Sequence, residues 1–110
     1  MQTPAGSIAL DSEAGVPTLR LAGEIDLASV EAFEAEAQRG VTGKGSTGQP
    51  VGVVDLSEVT FLSSTGLGLL ITVTKPARAA GRLPELRGLS RPVRRVLTLA
   101  GADGLFQLAA

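Results

Sequence analysis

Side chains able to do chemistry are few in this sequence, and they fall into four places. Glu24 and Asp26 form a pair of carboxylates two residues apart, a spacing open to acid–base work. Gly40-Val41-Thr42-Gly43-Lys44-Gly45-Ser46-Thr47 has the look of a scrambled phosphate-binding loop. Arg91, Arg94 and Arg95 make a basic turn. Ser63-Ser64-Thr65-Gly66 places three hydroxyls in a row directly after an apolar stretch. The chain has no histidine and no cysteine. Ser-His-Asp catalysis, thiolate nucleophiles, His- or Cys-bound metals and disulfides are thereby excluded. Lysine occurs only as Lys44 and Lys75, so an enzyme would have to work with carboxylates and those two amines. The expectation is no catalytic residue, no cofactor and no metal.

Three of the four places have ordinary explanations. A phosphate-binding loop needs its lysine followed by Ser or Thr and must join a strand to a helix. Here Gly45 follows Lys44, and the segment comes after a helical pattern and before an extended one, so it reads as a mobile loop. The arginine turn alternates with Val93, Val96 and Leu97, which makes it the solvated face of an amphipathic helix. It is too small, and too poor in aromatic neighbours, for a nucleic-acid patch. A formal net charge of −1 adds no field toward nucleic acid or an anionic membrane. No second group is cued beside Glu24 and Asp26, and Asp26 suits the cap of the helix that follows.

The elements that must position these groups follow from periodicity. With 44% hydrophobic and 19% charged residues in 110, the chain can bury one core, and a single domain over 1–110 is expected. Residues 7–10 and 16–21 read as two strands of a hairpin, Leu19 and Leu21 alternating with Thr18 and Arg20. A helix is expected from about Leu27 to Arg39, with Leu27, Val30, Phe33 and Ala37 on its apolar face. Val51 to Leu56 lacks alternation, as a strand buried on both faces does. A second helix spans about Thr65 to Ala80, where Pro76 should kink it or end its regular part. A weak strand (83–89), a third helix (about 92–100) and a last short strand near residues 105–108 complete the order. Strands and helices interleave, which implies an α/β fold with a mixed sheet of four to five strands and helices mainly on one face. The expected core includes Leu21, Val30, Phe33, Val53, Val54, Leu67, Leu70, Ile71 and Val96. The most apolar stretch, Val51 to Val73, carries Asp55 and Glu58 and contains no apolar block near the ~20 residues of a membrane span. Residues 1–6 lack a basic start followed by an apolar run, so no signal peptide and no membrane insertion are expected, and the chain reads as cytoplasmic.

The fourth place is the informative one. In Asp55-Leu56-Ser57-Glu58-Val59-Thr60-Phe61-Leu62-Ser63-Ser64-Thr65-Gly66-Leu67-Gly68-Leu69-Leu70, a buried strand delivers the chain to a polar helix start. An N-cap role for Ser64 accounts for one hydroxyl. It does not account for Gly66 and Gly68 in the first turns, where each costs about 1 kcal/mol against alanine. Small residues there leave backbone accessible, as a docking surface or a kinase requires.

This segment resembles the signature of STAS-domain anti-sigma-factor antagonists, an Asp-Leu-Ser strand end leading into a Ser-Ser-Gly-Leu-Gly helix start. Gly23-Glu24-Ile25-Asp26 is similar to the family's Gly-Glu-Leu-Asp before its first helix. Residues 90–97, Ser-Arg-Pro-Val-Arg-Arg-Val-Leu, with Gly101 to Phe106 behind them, resemble its C-terminal helix and closing Gly-Leu-Phe. The three blocks stand in family order and cover nearly the whole chain. The resemblance implies a binding protein and not an enzyme. It maps the phosphate acceptor onto Ser64, with Thr65 as backup, and the partner-binding surface onto Gly23, Glu24, Asp26, Ser63, Ser64, Thr65, Gly66 and Leu67. It further implies an anti-sigma-factor serine kinase as partner of the unphosphorylated form, release on phosphorylation, and a serine phosphatase that resets the cycle, with no direct contact to nucleic acid. The family often carries Asp where Ser63 stands and Ser where Thr65 stands. The alternative reading is a STAS accessory subunit of a membrane transport complex, of the lipid-transporting ATPase type, docking on its ATPase without a phosphorylation cycle.

Overall fold

The structure, a computed structural model, describes residues 6–38 and 50–109. Its elements are β1 (Ser7–Glu13), β2 (Val16–Ile25), α1 (Leu27–Gln38), β3 (Val53–Leu62), α2 (Ser64–Ala79), β4 (Glu85–Arg87), α3 (Arg91–Leu99) and β5 (Gln107–Leu108), with a 3₁₀ turn at Asp103–Leu105 before the last strand. The five strands form one mixed sheet in the order β1-β2-β3-β4-β5. Only β1 and β2 run antiparallel, and the other three pairings are parallel. Parallel neighbours need crossovers, and each crossover here carries one helix. The lysine loop at Gly40–Thr47 and residues 42–49 of the expected mobile loop lie outside the described residues.

The first two strands are longer than the sequence pattern suggests. Asp11, Ser12 and Glu13 belong to β1, and Glu13 pairs with Val16, which leaves a two-residue turn at Ala14-Gly15. Both turn residues are left-handed, at φ 53° and 82°. This is the hand of turn whose twist matches a hairpin, and Ala14 occupies it at a cost that glycine or asparagine would not bear.

Along β2, Leu19, Leu21 and Ile25 are buried against the helices, while Arg20, Ala22 and Glu24 are half-buried on the other face. That outer face carries a charge lattice. The Arg20 guanidinium donates to Asp11, Glu13 and Asp55 at 3.1, 2.6 and 3.0 Å, and Arg87 donates to Glu13 at 2.8 Å. These carboxylates sit below their usual range: Asp11 chiefly through the Ser12 N–H, Glu13 through Arg20, and Asp55 through the Ser57 hydroxyl. Opposite them, a single core joins Leu19, Leu21, Ile25, Val54, Leu56 and Leu62 to Val30 and Phe33 of α1, Leu67 and Leu70 of α2, and Val93 and Leu97 of α3.

Several packing expectations need correction. Ile71 and Val96 are only partly buried, at the margin of the core. Leu27 is 56% exposed, because it opens α1 before the helix reaches the sheet. Ala37 is exposed as well, so Val30 and Phe33 carry the inner face of α1. Two-sided burial holds for Val53 and Val54 but fails beyond Leu56, where β3 continues as a strand with Ser57, Glu58, Thr60 and Phe61 exposed. Pro76 does not end α2, which runs on to Ala79. The Arg78 guanidinium donates to the Ile71 carbonyl at 2.6 Å and to the Thr74 hydroxyl at 2.7 Å.

Candidate functional site

The C-terminal ends of β2 and β3 lie side by side, with Ile25 paired to Leu62. The turn that leaves each strand opens a helix. The backbone N–H of Ser63 donates to the Ile25 carbonyl at 2.9 Å, which ties the start of α2 to the turn before α1. The structure therefore brings together the two segments that the sequence keeps nearly forty residues apart (Gly23–Asp26 and Ser63–Leu67).

Within the second segment, the cap is Ser63 and not Ser64. Ser63 is extended at φ −80° and ψ 169°, and its hydroxyl accepts from the Gly66 N–H at 3.0 Å. Ser64 is then the first helical residue and Thr65 the second, both exposed. With Ser63 doing the capping, the Ser64 hydroxyl is outside that bond and faces solvent at the positive end of the helix dipole. The two glycines separate in role. A Cβ on Gly66 would lie 2.8 Å from Ile25 Cγ2 and 2.9 Å from Leu62 Cδ1, so glycine is what lets α2 seat against the strand ends. A Cβ on Gly68 would meet nothing within 4 Å. Leu67, 4% exposed, belongs to the core and anchors the helix from beneath.

In the first segment, Gly23 is buried at φ +76°, a conformation that side chains rarely adopt. It sits where the β2–β3 register shifts. Glu24 is half-buried, and its carbonyl accepts from the Ser29 hydroxyl at 3.0 Å. Asp26 caps α1, its Oδ1 accepting from the Ser29 N–H at 3.1 Å and from the Ser29 hydroxyl at 3.0 Å. The backbone bond first and the hydroxyl second hold the Asp26 carboxyl below its usual range, so it is charged at neutral pH. A shallow cleft of about 240 Å³ lies here, lined by Gly6, Glu24, Asp26, Ala28, Ser29 and Ala32. The Glu24 carbonyl and the Asp26 carboxylate thus serve the fold of this turn.

A family model described as Mlab, STAS domain, matches residues 8–108. The chain belongs to the STAS-domain family. Among solved structures, an anti-sigma factor antagonist from Mycobacterium paratuberculosis is 28% identical, with a TM-score of 0.69 over 94% of this chain and 85% of that one. The unphosphorylated form of the anti-sigma factor antagonist SpoIIAA is 20% identical, with a TM-score of 0.62 over 94% of this chain and 88% of that one. The phosphorylated form of SpoIIAA, the Bacillus cell fate determinant, is also 20% identical, at 0.56 over 94% and 92%. At that identity SpoIIAA shares the fold. The expected α/β fold, a mixed sheet of four to five strands, is the fold observed, with five strands and three helices among the described residues.

Elsewhere, Arg91, Arg94 and Arg95 are exposed on α3, as a solvated face should be. Among the described residues no three His, Cys, Asp or Glu side chains gather as a metal site, and no helix is long and apolar enough to cross a membrane. Sequence reasoning missed two exposed apolar residues beside the site, Phe61 and Leu27. Two bulges explain Phe61. Where β2 advances from Arg20 to Ala22, β3 advances from Asp55 to Glu58, and where β2 steps from Gly23 to Glu24, β3 steps from Val59 to Phe61. Each extra residue resets which side chains face the core, leaving Val59 and Leu62 inside and Phe61 outside.

Proposed function

We propose that this STAS domain is an anti-sigma-factor antagonist that works in the cytoplasm. Unphosphorylated, it binds an anti-sigma-factor serine kinase and so frees a sigma factor. The kinase phosphorylates Ser64, with Thr65 as the backup acceptor, and the complex parts until a serine phosphatase removes the group. In this cycle the chain is partner and substrate, and catalyses nothing. Ser63, Ser64, Thr65 and the Glu24–Asp26 turn form the contact surface, with the buried Gly23, Gly66 and Leu67 holding it in shape.

The observation that carries this reading is the exposed Ser64 hydroxyl at the first position of α2, relieved of capping by Ser63. A phosphate there adds about −1.5 to −2 charges. The helix N-terminus favours that charge, so the fold should survive it. The interface should not, because a bulky dianion joins small neutral groups beside the charged Asp26 turn. The test is mass spectrometry after incubation with the anti-sigma-factor kinase encoded in the same genome. One phosphate is expected on wild type and on Thr65→Ala, and none on Ser64→Ala. Full phosphorylation of Ser64→Ala moves the site to Thr65 or Ser63.

A second reading is favoured by the description of the matching family model, Mlab, STAS domain, which names no anti-sigma-factor role. In it the same end of α2 docks on the ATPase of a membrane transport complex with no phosphorylation. Wild-type protein left unmodified by its genomic kinase supports that reading over the first.

A further inference from the structure

The sequence contains three aromatic side chains, all phenylalanine. Phe33 and Phe106 are in the core, 8% and 4% exposed. Phe61 is 50% exposed, on the outer face of β3 opposite Glu24. It lies three Cα steps from Ser64, hence at most about 11 Å away. In the neighbouring turn, Leu27 is 56% exposed, two residues beyond the Ile25 carbonyl that holds Ser63. The remaining large exposed apolar side chains among the described residues lie elsewhere: Val16 and Leu83 line a groove at the starting ends of the strands, and Leu99 ends α3.

We propose that Phe61 and Leu27, the exposed apolar residues of the two segments that meet at the presented Ser64, are the anchors by which the serine kinase holds this chain. This rests on the kinase reading above. A typical protein interface covers about 800 Å² of each partner, a disc of roughly 16 Å radius. Centred on Ser64, such a disc takes in Phe61, so a partner that covers the acceptor also covers the ring. Aromatic side chains concentrate in the desolvated centres of interfaces because they bury a large rigid surface at little entropic cost. Phe61 has that burial still to gain, since the bulge at Thr60 turns it away from its own core. Phosphorylation three residues along then places a dianion at the edge of an apolar contact, which weakens the complex without altering the anchor itself.

The experiment uses the intact chain and the anti-sigma-factor kinase encoded in the same genome, with affinity measured by calorimetry in the presence of ADP and phosphorylation kinetics measured with MgATP. Phe61→Ala should weaken binding about ten- to a hundredfold. It should raise KM while leaving kcat within about twofold, because the acceptor geometry is untouched. Leu27→Ala should act in the same direction by about three- to tenfold, and Phe61→Tyr should restore most of the affinity. Phe61→Thr, which keeps strand propensity, serves if alanine disturbs the sheet. Leu83→Ala, at a site 55% exposed on the far end of the strands, should behave as wild type. Wild-type affinity for folded Phe61→Ala or Phe61→Thr, or an equal loss in Leu83→Ala, overturns the anchor assignment and leaves the kinase reading intact. A wild-type chain that neither binds the kinase nor accepts phosphate refutes that reading, and the anchors with it.

Discussion

Replacing Ser63 by alanine removes the hydroxyl that accepts from the Gly66 N–H at 3.0 Å and leaves that amide without its partner at the start of α2. Loss of such a cap typically costs about 1 kcal/mol, within a range of about 0.5–2. A domain of this length has an unfolding entropy near 0.23 kcal/mol per kelvin at its midpoint, so about 1 kcal/mol lowers Tm by roughly 4 °C. Ser64→Ala changes an exposed first-turn residue that caps nothing, and should stay within about ±0.5 kcal/mol, or roughly 2 °C. Ser63→Asp should melt with wild type, since aspartate caps as well as serine and suits the dipole. Differential scanning calorimetry of the four proteins, checked by urea titration, reads the differences directly. If Ser64→Ala loses several degrees while Ser63→Ala loses none, the cap belongs to Ser64. Its hydroxyl is then not free for a kinase, and Ser64 is not the acceptor.

Other outcomes follow from single contacts. Gly66→Ala should destabilise by about 1–3 kcal/mol, because its methyl meets Ile25 and Leu62 below 3 Å, whereas Gly68→Ala should stabilise by up to about 1 kcal/mol in open space. Chemical denaturation that ranks the two alike would show that α2 is not seated on the strand ends. Ala14→Asn should add about 0.5–1 kcal/mol by relieving the left-handed strain in the hairpin, and no gain in the urea midpoint would contradict the turn geometry. Asp11, Glu13, Asp26 and Asp55 all have folded-state pKa values below the ordinary 3.8 or 4.5. Their contribution is therefore present above about pH 5 and lost as pH falls through the lowered values. With no histidine in the chain, Tm should be flat from about pH 5.5 to 7 and drop below about pH 4, and a transition between pH 6 and 7 in a thermal series would be inconsistent with this.

Local pattern was enough to reveal the order of elements. The alternation of Leu19 and Leu21 with Arg20, the apolar spacing of α2 and α3, and the Asp26 cap are properties of neighbours in sequence, and the observed β1-β2-α1-β3-α2-β4-α3-β5 order follows them. The Ser-Ser-Thr-Gly cluster was likewise visible as the place to look, because two glycines at a helix start demand a reason. Which serine caps was not visible: Ser63 and Ser64 are identical in type. The choice is made by the ladder pairing Ile25 with Leu62 and by the Ser63 N–H bond to the Ile25 carbonyl, which stops the strand at Leu62 and sets the helix phase. The difference between Gly66 and Gly68 rests on the same contact, since only packing against Ile25 and Leu62 distinguishes two glycines on one helix. Phe61 shows the limit most sharply. Its exposure depends on two bulges in β3 against β2, and a bulge is a property of two strands in register, so no periodicity within either strand encodes it.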